Sequence, residues 1–371
     1  MSTRTLHTSV SQRRTTCLIE APLVRRRGIV AAAISSAFLF LFFFAPSIAR
    51  AQGCSTADPA VNAADPSALA WNSDQAIQTN FTSARANEGC STPLTLPPGF
   101  DGMSAQQQML SLFNSERTAR GLPVLQLDST LASQIALNHN KEMVQYGYFN
   151  HSSPINLNFS LRLTVNPALA YPKSTGTGEN IAAGVPNAAA AVYSYMYFDG
   201  PGARNGACQG TVTWGCWGHR HSVLGNFNWV GIGVTLNATG SQWTNYYTDD
   251  FLNMASGYAP PATADTNPPL MGQISYSGGN ATVTGVAVNP MNVNNTGANP
   301  ATAGITQVVF YVNRINANAD GSYNTVVATE TAPGSRTWAA NIVVNPGDVL
   351  HAVAVDGSGN YTDMTLSSPP G

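Results

Sequence analysis

The feature that most constrains the fold of this chain is the order of its hydrophobic patterns. Within residues 104–258, helical patterns precede strand-like runs. A capping box at Ser104 and Gln107 starts the first helical pattern, which ends at Gly121. Helices first and hairpin-like strands later predict an α+β domain with helices packed on an antiparallel sheet. The predicted helices are residues 104–120, 128–146 and 188–198, and the predicted strands are residues 229–236 and 242–248.

Two polar features of these predicted helices have ordinary structural interpretations. His139 lies on the apolar stripe of the second helix, and a hydrogen-bonded core histidine is favoured there over a ligand. Glu116 and Arg120 form an i,i+4 pair, which is predicted on the outer side of the first helix.

The start of the chain has the pattern of an export signal. Residues 1–51 contain seven of the 17 basic residues and one of the 19 acidic ones, with Arg25, Arg26 and Arg27 directly before an uncharged apolar run. Small residues at 49–51 have the spacing of a cleavage site, so we predict a signal peptide and a secreted, cell-surface or periplasmic product. The remaining chain is acidic without a basic cluster, which argues against nucleic acid as a partner.

Four of the five cysteines lie outside this leader. An even number in an exported chain, with no CxxC motif, favours disulfides over metal thiolates. Pairing Cys54 with Cys90 and Cys208 with Cys216 closes two local loops, although three pairings are open. The first pair falls in residues 52–103, whose Ala-, Asn- and Pro-rich composition supports a small extension or linker.

The end of the chain predicts a second, all-β domain. Residues 259–269 are a Pro-rich linker by composition, and residues 270–371 contain short runs of period two between turn residues. Short strands at this spacing predict a β-sandwich, and residues 349–360 resemble bacterial Ig-like or fibronectin-type repeats. The region has no constellation that suggests chemistry, so spacing or attachment at the cell surface is its predicted use. Asp356 could bind Ca²⁺, but a turn aspartate is favoured. The predicted strands are residues 281–288, 306–312, 324–329, 337–344 and 350–355.

Three short segments place titratable side chains in small and apolar surroundings. They are residues 149–152, 178–181 and 218–220, which contain His151, Glu179 and His219. Because charged residues are only 10% of the chain, these segments suggest a prepared polar site. Residues 173–178 are predicted to be a flexible Gly-rich run that precedes Glu179.

These segments are part of a longer collinear pattern. It comprises residues 112–117 (LFNSER), 121–125 (GLPVL), 131–143, 149–152 (FNHS), 178–181 (GENI), 218–224 (GHRHSVL) and 230–251. The pattern resembles the bacterial branch of the CAP superfamily, also called SCP/TAPS after cysteine-rich secretory proteins, antigen 5 and plant pathogenesis-related proteins. The resemblance covers residues 104–258 and implies an α-β-α sandwich with a central cleft where histidines and acids converge.

Carried over by position, His151, Glu179 and His219 match the family's cleft residues. His221 matches only a variable position and is a secondary candidate. Eukaryotic members usually have a second glutamate on the helix before the last histidine. Asp199 lies one residue beyond that place, so its part in the site stays open.

Two imidazoles and a carboxylate are a plausible ligand set for Zn²⁺ or another divalent cation. The alternative is a buried His–Glu pair that only shapes the cleft. Family members are mostly secreted binding, defence or signalling proteins, some of which bind lipids, so the resemblance favours binding of a small or lipidic ligand over catalysis. A metal-dependent peptide or ester hydrolase with Glu179 as base is the second hypothesis. A cell-surface adhesin that uses the β-sandwich is the third, and the oligomeric state is open.

Overall fold

The computed structural model describes residues 53–210, 215–289 and 304–367, and the statements below refer to them. The predicted signal peptide and Cys17 lie outside the described residues. The helices are α1 (Asp74–Asn87), α2 (Ala105–Ala119), α3 (Leu131–Tyr146), α4 (Phe159–Thr164), α5 (Ala188–Tyr197) and α6 (Gly218–Leu224). The strands are β1 (Gln126–Leu127), β2 (Ser174–Ala183), β3 (Trp229–Thr235), β4 (Tyr246–Met254), β5 (Ile274–Ser277), β6 (Asn280–Val283), β7 (Ile305–Val312), β8 (Val326–Val327), β9 (Thr329–Glu330), β10 (Trp338–Asn341), β11 (Val349–Asp356) and β12 (Tyr361–Ser367).

A four-stranded sheet of order β1-β3-β4-β2 organises the helical part of the chain. β1 pairs with β3 in parallel, whereas β3–β4 and β4–β2 are antiparallel. β4 is therefore an inner strand and β2 an edge strand. Side chains alternate between the two faces of such a sheet, so consecutive residues of β2 point to opposite sides.

Helices cover both faces of this sheet. On one face α3 approaches so closely that a Cβ at Gly231 or Gly233 would meet its backbone at Ala132 or Ala136. On the other face, residues of α2 and α5 share a buried cluster with strand residues such as Ile232. These layers confirm the predicted α+β class and the α-β-α arrangement.

The predicted helix boundaries agree with the structure to within three residues. Ser104 and Gln107 form the capping box that begins α2. Gly147 ends α3 in the left-handed conformation that glycine adopts readily, and the Asn187 side chain caps α5. Local chemistry thus sets these ends before tertiary packing is considered.

Two predictions for the sheet were wrong. Residues 173–178 are not a flexible loop, since β2 begins at Ser174 and pairs with β4. The last strand of this sheet covers Tyr246–Met254, not residues 242–248, because residues 237–245 form its connection to β3, closed by Ala238 N donating to Thr244 O. The sequence window missed this strand because Asp249 and Asp250 interrupt its apolar pattern.

The N-terminal extension packs into the main core through α1, whose Phe81 is fully buried. The predicted Cys54–Cys90 disulfide joins the start of this extension to the segment just after α1. The prediction that Glu116 and Arg120 lie on the outer side of α2 was wrong, because both are buried. They pair with each other, and they also pair with Arg85 of α1 and with Glu88, which directly follows α1. Helical periodicity alone did not reveal that a further helix covers this side of α2.

The C-terminal part is all-β, as predicted, with two four-stranded antiparallel sheets of order β5-β6-β10-β9 and β12-β11-β7-β8. The strands β5 and β12 were not predicted. Whether the region is Ig-like stays a prediction. Asp356 is a buried turn aspartate, since its carboxylate accepts hydrogen bonds from the backbone N–H groups of Ser358 and Asn360. Burial raises its pKa to about 7, although these donors favour the ionised form.

Candidate functional site

The first histidine of the candidate site is paired with a buried carboxylate. His151 lies in the loop between α3 and α4, and its Nδ1 is 2.7 Å from Oε1 of Glu179 on β2. A carboxylate oxygen only accepts hydrogen bonds, so Nδ1 carries the hydrogen and donates it. The Glu179 side chain is fully buried, whereas 43% of the His151 side chain is exposed.

Arg162 on α4 completes this first pair. Its Nη2 donates to Oε2 of Glu179, and its Nη1 donates to the carbonyl of His151 at 2.9 Å. Burial alone would raise the pKa of Glu179, but the Arg162 guanidinium and the nearby histidines outweigh it and lower this pKa to about 2. Glu179 is therefore an ionised carboxylate with both oxygens occupied.

The second histidine has a carboxylate partner of its own, Asp199. Nδ1 of His219 is 2.6 Å from Asp199 Oδ1, and the backbone N–H of His219 donates to Oδ2 at 2.9 Å. Asn205 donates to the same Oδ1 at 2.7 Å, and the His219 ring stacks on Tyr195 at a centroid distance of 5.2 Å. Asp199 thus orients His219, whose side chain is 20% exposed.

The loop between Asp199 and His219 is shaped to make this second pair. The Cys208–Cys216 disulfide closes it, as predicted. Trp217 then turns the chain with a φ of 61°, and its backbone N–H donates to the Asp199 carbonyl. Because the Trp217 ring lies against Gly200, a side chain at position 200 would collide with it. This loop therefore returns His219 to the end of α5.

Strand β2 connects the two pairs. Asn180 directly follows Glu179 and donates through Nδ2 to the His219 carbonyl at 3.0 Å. Opposite them on β4, Asp250 faces Glu179 and Asp249 faces Asn180. Both aspartates are buried, and burial raises the pKa values of both carboxyls well above their usual range.

The other two predicted histidines, His221 and His139, lie outside both histidine–carboxylate pairs. His221 is 58% exposed and pairs with Asp58 of the N-terminal extension, so it does not join either pair. His139 is a satisfied core histidine, as predicted, because its Nε2 contacts the Asn150 carbonyl and its Nδ1 the Tyr148 hydroxyl. Arg162 was not predicted as a site residue, because a single arginine in a short helix gives no sequence signal.

The predicted metal ligands His151, Glu179 and His219 are not arranged to bind one metal ion together. Within the three described ranges, no group of three or more His, Cys, Asp or Glu side chains could hold a metal ion together. Glu179 would first have to leave Arg162 or His151. The two imidazoles do fit metal chemistry individually, because a histidine ligand commonly donates its other ring N–H to a carboxylate. The metal site stays a prediction.

The part of the chain that carries the paired histidines is similar in sequence to known proteins. Residues 110–249 match the family model described as CAP, the cysteine-rich secretory protein family. They include both histidine–carboxylate pairs, and this part of the chain is a CAP domain.

The chain is also similar to a bacterial protein. The chain is 28% identical over 201 residues to the uncharacterized protein YkwD of Bacillus subtilis (strain 168). The alignment spans 53% of this chain and 64% of that protein. Among the described residues, no helix has the length and apolarity needed to cross a membrane.

Proposed function

We propose that this chain is an exported, non-enzymatic binding protein whose CAP domain binds a divalent cation through Nε2 of His151 and of His219. The observation that carries the proposal is that each imidazole donates Nδ1–H to a buried carboxylate while part of the ring stays exposed. The tautomer is thereby fixed with the Nε2 lone pair free to coordinate. Zn²⁺ is the first candidate because it accepts imidazole nitrogen readily.

Two protein ligands leave coordination positions open for water or for a ligand atom. An open metal centre can hold an anionic or carbonyl group of a small or lipidic molecule. The carboxylates in this proposal act from behind the imidazoles and not as ligands, because Glu179 is bound to Arg162 and Asp199 to Asn205.

Binding is favoured over hydrolysis because Glu179 is a poor general base. A base works best when its pKa is near the operating pH, whereas the pKa of Glu179 is lowered to about 2, with Arg162 as the main cause of the lowering. Its Oε2 is also blocked by the guanidinium. A metal-dependent hydrolase would therefore need another group to accept the proton.

Two disulfides support the proposed export, since such bonds persist in oxidising compartments. In the same proposal, the C-terminal β region provides a surface that binds a component of the cell surface.

The cation is tested by calorimetric titration of the purified chain with Zn²⁺, Ni²⁺, Ca²⁺ and Mg²⁺. We expect Zn²⁺ binding to be lost in the His151→Ala/His219→Ala double variant. His221→Ala is the matched control, because it removes an exposed histidine whose partner is Asp58. Equal binding by the wild-type chain and the double variant would refute the proposed site.

The non-enzymatic part is tested with a library of peptide and ester substrates, assayed with and without a chelator. We expect no turnover above the uncatalysed background. Chelator-sensitive turnover that disappears in Glu179→Gln would make the protein a hydrolase and overturn this part of the proposal.

A further inference from the structure

The sheet β12-β11-β7-β8 of the β region has buried apolar side chains on both of its faces. Phe310 and Ala352 belong to the cluster between the two β sheets. Their strand neighbours Val309 and Val353 point to the opposite face and are also fully buried. A sheet of a free-standing sandwich usually has its outer face in water, so this face has a partner.

The partner is the loop that carries His151. Ile155 of this loop is completely buried and shares one apolar cluster with Val309, Tyr311 and Val353. Gln307 on β7 donates through Nε2 to the Ile155 carbonyl at 3.2 Å. The side chain and the backbone of residue 155 are therefore both held by the β region, four positions from the histidine.

Helix α3 forms the rest of this contact through polar side chains. Asn138 donates to the Ser358 carbonyl at 2.8 Å, in the turn between β11 and β12. The Tyr361 hydroxyl donates to Gln145 at 2.8 Å, and the Tyr146 hydroxyl donates to Asp363 at 3.2 Å. Hydrogen bonds along the helix fix the orientation of the sheet on it, while the apolar cluster supplies buried area.

The other side of the loop is held within the CAP domain. Ser153 donates to the buried carboxylate of Glu142 on α3 at 2.6 Å, and Arg162 donates to the His151 carbonyl. The His151 loop is thus fixed between α3 and α4 on one side and the β sheet on the other. The loop that holds Asp199 and His219 is closed by its own disulfide.

We propose that the C-terminal β region positions His151, with Ile155 as the positioning residue that transmits this contact to the loop. The β region is then a structural part of one half of the candidate site. His151 depends on it, and His219 does not. The consequence for cation affinity rests on the proposed function above, whereas the consequence for loop geometry does not.

The test is Ile155→Ala in the full chain, measured by hydrogen exchange of residues 148–158 and by the NMR imidazole signals of His151 and His219. We expect exchange in the loop to rise by about tenfold or more, because truncation removes most of a fully buried side chain from the contact. The His151 signal is expected to shift and the His219 signal to stay. Ile155→Val is expected to restore most of the protection.

Leu350→Ala is the matched control, because it truncates an equally buried residue of the same sheet on the face toward the other β sheet. It is expected to destabilise the β region without a selective change at His151. Gln307→Ala provides a milder second variant if Ile155→Ala does not fold, with a smaller change in the same direction.

Unchanged exchange and an unchanged His151 signal in Ile155→Ala would refute the proposal, as would equal changes at both histidines. If Zn²⁺ binds to the wild-type chain, its affinity should fall severalfold in Ile155→Ala and remain unchanged in Ile155→Val. If no form of the protein binds a cation, the proposed function fails, while exchange and imidazole signals still decide the role of the β region.

Discussion

Replacing Arg162 by methionine is the most informative perturbation of the site, because it leaves the Glu179 carboxylate buried without its guanidinium. Both side chains are almost inaccessible to solvent, at 2% and 0% exposure. Removing one partner of a buried ion pair costs about 3–5 kcal/mol, since the remaining charge stays desolvated. Arg162 also donates to the carbonyls of His151 and Leu157, so we expect the upper part of this range.

A double-mutant cycle separates the charge interaction from these backbone contacts. Glu179→Met in the Arg162→Met background removes the orphaned carboxylate, so the double variant should be more stable than the sum of the single effects implies. We expect a coupling free energy of about 2 kcal/mol or more, measured by guanidinium chloride unfolding at pH 7. The exposed Arg204–Asp65 pair, with 76% of the arginine side chain exposed, is the control and should couple by less than about 1 kcal/mol.

The same cycle has a defined pH dependence. The folded pKa of Glu179 is about 2, below its ordinary value of 4.5, so its stabilising contribution is complete above pH 4.5 and decreases as the pH falls toward 2. The Arg162→Met penalty should therefore be smaller at pH 3 than at pH 7. A penalty below about 1 kcal/mol at pH 7, or additive single variants, would show that the ion pair does not hold this part of the fold.

Three further predictions concern the scaffold. Gly233→Ala should cost about 1–3 kcal/mol in the free energy of unfolding, because its Cβ has no space against the α3 backbone; an unchanged denaturation midpoint would contradict this packing. Asp356 has a folded pKa of about 7, so the folded state keeps a proton that the unfolded state releases, and stability should fall between pH 4 and pH 7. Unfolding measured at pH 4.5, 6 and 8 should show a smaller fall in Asp356→Asn. Removing the Cys54–Cys90 disulfide, with a sequence separation of 36, should cost about 4 kcal/mol of unfolding free energy, compared with about 2.5 kcal/mol for the second disulfide, with a separation of 8. Equal losses in a thermal melt would contradict this order.

Local sequence chemistry predicted the elements whose ends depend on neighbouring residues. The capping box at Ser104 and the left-handed Gly147 are examples, and both act over a single turn of helix. The start of β2 was not predicted as a strand because it contains Gly176 and Gly178, a residue type depleted in strands, and pairing with β4 makes it one. Tertiary pairing therefore decided the strand that carries Glu179.

The candidate site residues, like the helix ends, could be selected from sequence, whereas their partners could not. Position in the motif pattern selected His151, Glu179 and His219 as candidates, but the partner of each depends on distant segments. Arg162 reaches Glu179 from a helix 17 residues earlier, and no local pattern connects them. Asp199 was left open from sequence, and the disulfide-closed loop places it against His219.

The position of β2 at the sheet edge explains how two separate pairs come to lie beside one strand. Glu179 and Asn180 are consecutive, and through them the strand contacts His151 between α3 and α4 and His219 at the start of α6. On the inner strand β4, Asp249 and Asp250 are also buried, because helices cover both faces of the sheet. At the edge, the carboxylate can be buried while the imidazole bound to it stays partly exposed. A ligand that reached either pair would therefore meet the histidine first, because the acid behind it is buried.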